Sequence, residues 1–126
     1  MTWPLVADLE PLLFVPGRPL SSNDRPHHME KAYINGQNIG WGMVLGKQAK
    51  VRFTEPVIVV AQHHAADGRR RDPANCHPAV KGIVDGLVRG GVLADDSGAH
   101  VLAEVYLAPV LRSPRGDGIA LWVLAP

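Results

Sequence analysis

The stretch Pro78-Ala79-Val80-Lys81-Gly82-Ile83-Val84-Asp85-Gly86-Leu87-Val88-Arg89 decides the fold. Val80, Ile83, Val84, Leu87 and Val88 fall at i, i+3, i+4, i+7 and i+8, which is one face of an α-helix. Pro78 suits the first turn, where a missing N–H costs no hydrogen bond, and Gly90-Gly91 supplies the stop. The opposite face carries Lys81, Asp85 and Arg89, each four residues apart. On its own that stripe reads as a solvated face with weak i,i+4 charge pairs.

Strands flank this helix. Before it, Val51 to Gln62 contains Val57-Ile58-Val59-Val60, a continuous β-branched run that predicts a central strand covered on both faces. His63 to Asp72 is then a polar, basic connection. After it, Val101 to Leu107 and Ile119 to Leu124 read as two further strands. Near the N-terminus, Leu12-Leu13-Phe14-Val15 predicts a strand that ends at Pro16-Gly17. Pro19 to Pro26, dense in Ser, Asn, Asp and Pro, reads as a loop.

Met29 to Ala49 sends conflicting signals. Met29, Ala32, Tyr33, Ile39, Met43 and Val44 suggest a helix, but Gly36, Gly40, Gly42 and Gly46 each cost about 1 kcal/mol there relative to alanine. The expectation is a helix from about Gln37, with a mobile segment before it. The order strand, helix, strand, helix, strand, strand predicts a small α/β (α+β) domain spanning residues 1–126. Its mixed sheet of about four strands would pack against two main helices.

Composition narrows the function classes. The chain has 126 residues, 46% hydrophobic and 20% charged, which suits one globular domain rather than a disordered segment. Thirteen Lys and Arg against 12 Asp and Glu leave a net charge of +1, so any basic surface is local. Cys76 is the single cysteine, which excludes an internal disulfide and suits the cytoplasm. No apolar run reaches the length of about 18 residues that a membrane span needs, and no signal peptide is visible. The phosphate-cradling and dinucleotide glycine motifs are missing. His27-His28, His63-His64, Cys76 and His77 offer zinc-type ligands but lack the regular spacings of zinc sites.

The segment from Arg69 to His100 holds the candidate chemistry. It runs Arg69-Arg70-Arg71-Asp72-Pro73-Ala74-Asn75, then the helix with Lys81 and Asp85, then Val92-Leu93-Ala94-Asp95-Asp96-Ser97. Carboxylates suit Mg²⁺, a hard cation that prefers oxygen and keeps several waters. Three consecutive arginines suit phosphate. Asp72 and Asp96 stand at opposite ends of the helix, so they meet only if the Asp72 loop folds back. Asp72-Pro73 and Asp95-Asp96-Ser97-Gly98 also read as ordinary turns, and spacing alone leaves that choice open.

This ordered set resembles the RusA family of Holliday-junction resolvases, small homodimeric endodeoxyribonucleases often carried by phages. The family pattern is an Arg-rich run, an Asp, a second Asp followed by Asn, a helix with Lys and Asp-x-Leu, and a Gly-Val-x-x-Asp-Asp. The corresponding residues are Arg69 to Asp72, Asn75, Lys81, Asp85-Gly86-Leu87 and Gly91 to Asp96, about a quarter of the chain. Pro19 to Arg25 is similar, more weakly, to the family's N-terminal loop.

The resemblance implies a homodimer that cuts four-way or other branched DNA in the cytoplasm of a bacterial host. It implies Mg²⁺, with Mn²⁺ as a substitute, held by Asp72, Asp95 and Asp96. Lys81 would steady the scissile phosphate, and Arg25, Arg69, Arg70, Arg71 and Asn75 would face DNA. Asp85 is expected to pair structurally with Lys81 or Arg89. The chain departs from the pattern at Ala74, where the family has its second Asp. It also has a longer spacing from Asp72 to Lys81, with the extra residues around Cys76-His77-Pro78. A junction-binding module that cuts poorly or not at all is the alternative that Ala74 raises.

Overall fold

A computed structural model describes Val6, residues 9–19, Ser21 and residues 27–126. Strand β1 is Leu13–Pro16, helix α1 His28–Ala49, strand β2 Val57–His64, helix α2 His77–Arg89, strand β3 Val101–Val110 and strand β4 Gly118–Leu124. A short 3₁₀ turn, Pro73–Cys76, leads into α2. The four strands form one mixed sheet in the order β1-β4-β2-β3, with β2 parallel to β3 and antiparallel to β4. Parallel neighbours require a crossover, and α2 supplies it.

The β-branched run behaves as its composition predicts. Val57, Val59 and Ala61 pack on the helix side with Val80, Ile83, Val84 and Leu87 of α2. Val60 points the other way, into a second cluster with Val6, Ala120 and Trp122. Trp122 Nε1 donates to the Leu9 carbonyl at 3.0 Å, which holds the N-terminal segment over that face. The central strand is thus covered on both sides, by helices on one and by Val6 and the Leu9 backbone on the other.

Helix α1 departs from expectation. It runs for 22 residues from His28, well before Gln37, and its glycines lie inside it. The glycines explain how. Gly42 and Gly86 oppose each other where α1 crosses α2. A Cβ on Gly42 would strike the Ile83 carbonyl, and one on Gly86 would strike the Ile39 carbonyl. Gly46 lies against Leu87 and Val92, and Gly82 against Asn35 and Asn38. Spaced by four along each helix, these glycines let the two backbones touch. The propensity cost at Gly42 and Gly46 is therefore offset by close packing that a larger residue would forbid.

Gly36 and Gly40 meet nothing and bring no such return. Gly86→Ala is expected to lose about 1–3 kcal/mol through overpacking. Gly36→Ala is expected to gain up to about 1 kcal/mol through helix propensity. Urea unfolding of the two variants against the parent measures both effects, and their opposite signs are the test.

Candidate functional site

The stripe on α2 opposite the sheet is not simply solvated. His77, Lys81 and Asp85, one turn apart, line two adjoining pockets. The first, about 330 Å³, is closed by Asp96 from the connection after α2 and by Glu104 of β3. The second, about 500 Å³, is walled by His28, Lys31, Asn35 and Asn38 of α1. Sharing three residues, the pockets form one groove that is acidic at the β3 end and basic and amide-lined at the α1 end.

Asp96 comes to Lys81 because the chain turns sharply after α2. Gly91 takes φ +82°, a left-handed conformation that glycine adopts without strain. The Val92 and Leu93 amides then bond back to the Leu87 carbonyl, at 2.9 and 3.3 Å. Val92 and Leu93 are buried, so the Asp95-Asp96 turn that follows has a fixed root. Asp95 serves that turn. Its carboxylate accepts the Asp96 amide at 2.8 Å, and this bond with the Ser97 hydroxyl holds its pKa below the usual range.

Asp96 instead faces Asp85. Partial burial and the neighbouring Asp96 carboxyl push the Asp85 pKa up, against the opposing fields of Lys81 and Arg89. The expected pairing of Asp85 with Lys81 or Arg89 is thus secondary to its partnership with Asp96.

Asp72 stands outside both pockets. It is exposed at the start of the 3₁₀ turn, and its side chain makes no capping bond. Asp72, Asp95 and Asp96 are therefore not gathered around one point. Among the described residues, no three His, Cys, Asp or Glu side chains converge to hold a metal ion. Ala74 is exposed in the same turn, and Asn75 is half-buried.

The three arginines divide by role. Asp67 binds the Arg71 guanidinium through both oxygens, at 2.6 and 3.0 Å, and accepts the Arg69 amide at 2.9 Å. These bonds hold its carboxyl well below the usual range. Arg71 also donates to the Arg69 carbonyl at 2.7 Å, so it stiffens the loop. Arg69 and Arg70 are left exposed. Arg25 lies outside the described residues.

His77 stood out in the sequence only as a zinc-type ligand without regular spacing and as one of the extra residues before Lys81. Its Nδ1 lies 2.7 Å from the Tyr106 hydroxyl, which donates to Glu104 at 3.1 Å. Glu104 and Tyr106, two apart on β3, share a face of the strand. That alternation next to an exposed histidine at a helix start was the available signal. Cys76, its neighbour, is buried, and desolvation pushes its thiol up to about 11. It is therefore an unreactive thiol at neutral pH.

No protein-family profile matches the chain and no curated protein matches it, so the likeness to RusA rests on the motif residues themselves.

Beneath the arginine loop, His63 is buried and its Nε2 has no hydrogen-bond partner among the described residues. Burial, helped by Arg71, lowers its pKa, and burial also lowers that of His64. On acidification the unfolded chain takes up these protons first, near pH 6.5. Stability is then full above that pH and is lost as pH falls through it. Denaturant midpoints are expected to drop between pH 7 and pH 5. In His63→Leu, which removes one such group, the drop is expected to be smaller.

Proposed function

We propose that the chain is a junction-resolving endodeoxyribonuclease of the RusA type, acting as a homodimer on four-way or other branched DNA. One observation carries this reading. Lys81 and Asp96, both at positions of the family motif, come from separate segments and line one groove with Asp85. A cation beside paired carboxylates suits a phosphodiester whose charge must be held while water attacks it.

Mg²⁺ usually takes only one or two carboxylates and completes its shell with water, so the Asp85 and Asp96 pair fits it, with Mn²⁺ as a substitute. When bound, the ion supplies water activation and charge stabilisation. Lys81 steadies the phosphate. Asp95 holds the turn that presents Asp96, and Asp72, outside the groove lining, takes no part in holding the ion. Arg69, Arg70 and Asn75 are offered to the DNA backbone, while Arg71 acts through the shape of their loop.

The dimer surface we assign is the outer face of α1. Met29 is 69% exposed, Tyr33 67%, Val44 51% and Trp41 40%, an apolar stripe on the side of the helix away from Lys31, Asn35 and Asn38. A two-fold dimer through this stripe matches the two symmetric scissile phosphates of a four-way junction.

Ala74 favours a second reading, a module that binds branched DNA without cutting it. One assay separates the two. With Mg²⁺, a synthetic four-way junction is expected to receive paired, symmetric nicks. EDTA is expected to abolish them, and Asp96→Asn to slow them about 100-fold or more, the scale of losing one electrostatic contact to the reacting group. Binding without nicks in either Mg²⁺ or Mn²⁺ would favour the second reading.

A further inference from the structure

The groove contains a proton-handling group that the metal and the lysine do not account for. His77 opens α2, and its half-exposed side chain lines both pockets. Its Nδ1 is 2.7 Å from the Tyr106 hydroxyl and 3.6 Å from Glu104 Oε1, and the Tyr106 hydroxyl is 3.1 Å from that same oxygen. Counting protons along this chain shows which tautomer satisfies both contacts. Tyr106 has one hydroxyl proton, and the Glu104 carboxylate can only accept it. Burial and the Glu104 charge hold the phenol well above its ordinary range, so the proton stays on Tyr106. With Tyr106 donating to Glu104, the Tyr106 oxygen accepts from His77, the arrangement in which the ring proton sits on Nδ1 and Nε2 carries the free lone pair. Among the described residues, Nε2 has no hydrogen-bond partner.

Resting on the nuclease reading above, we propose that His77 Nε2 is the general base of the groove, oriented by Tyr106 and Glu104. As the water oxygen bonds to phosphorus, Nε2 takes a proton from that water. The bond from phosphorus to one sugar oxygen breaks, and that oxygen takes a proton from solvent. The imidazolium keeps its Nδ1–H bond to Tyr106, has Glu104 3.6 Å away to compensate its charge, and returns the extra proton to solvent. The logic is that of a histidine base oriented by a carboxylate, here an exposed one, with a tyrosine hydroxyl interposed. His77 is also faced by Lys81 and Asp85 on its own helix, Asp96 from the following turn, and His28 and Lys31 across the groove. Tyr106 and Glu104 are positioning residues.

Two measurements test this. The first reads the His77 ring nitrogens by ¹⁵N–¹H correlation NMR in the whole protein. The Nδ1–H tautomer is expected, the reverse of the form that predominates in free histidine, and Tyr106→Phe is expected to remove that preference. An Nε2–H tautomer in the parent protein overturns the proposal whatever the activity. The second measures junction cleavage with Mg²⁺. His77→Ala is expected to slow cleavage about 100-fold or more with junction affinity kept, the usual scale for a lost general base. Added imidazole is expected to restore part of the rate, which a structural role would not allow. Undiminished cleavage by His77→Ala overturns the base assignment and leaves the nuclease reading standing. A parent protein that makes no nicks overturns both.

Discussion

The α1 wall of the groove depends on how closely α1 approaches α2. Gly42 and Gly86 meet backbone to backbone, so the helices are separated by little more than main-chain atoms. At ordinary spacing, with side chains between them, Lys31, Asn35 and Asn38 would stand too far from Lys81 and Asp85 to form one wall with them. The contact also frees the rest of α2. Its apolar face goes to the sheet and its glycine face to α1, and the remaining side carries His77, Lys81 and Asp85. Two neighbours and one open side thus divide the helix, and only the open side is available for polar work.

How much of this the sequence discloses depends on the range of the forces involved. The α2 periodicity and the Val57–Val60 run were readable because burial imposes a local pattern on contiguous residues. Helix α1 was misjudged at its start. Glycine propensity is a local cost, whereas the compensating contact at Gly86 lies more than forty positions away in the chain. The Lys81–Asp96 convergence was legible as a motif but not as geometry. The Asp72 loop shows the limit, since nothing local says whether a loop folds back over a helix. His77 was visible in the sequence, but its partners were not, because Tyr106 and Glu104 lie on a strand that no spacing rule connects to it.

The charges in this protein are committed unequally. Asp67 binds Arg71 and shapes a loop, Asp95 closes its own turn, and Asp117 accepts the Ala66 amide at 2.8 Å. These carboxylates spend their acceptor capacity on backbone order. Asp85 and Asp96 are instead set near each other and near Lys81, where the repulsion between the two carboxyls is a standing cost. A near-neutral net charge conceals that division, because it sums structural and concentrated charges alike.

The acidic end of the groove is built from a single short span of chain. His77, Lys81, Asp85 and Asp96 belong to the crossover that joins β2 to β3 and Glu104 to β3 itself, while the opposing wall comes from α1, placed before β2 in the chain. In terms of contact order, one half of the cleft is local and the other distant. Selection can therefore recast the α1 wall, and with it what the cleft admits, without disturbing the inherited unit that holds the acids. The glycine crossing is where the two halves must remain compatible.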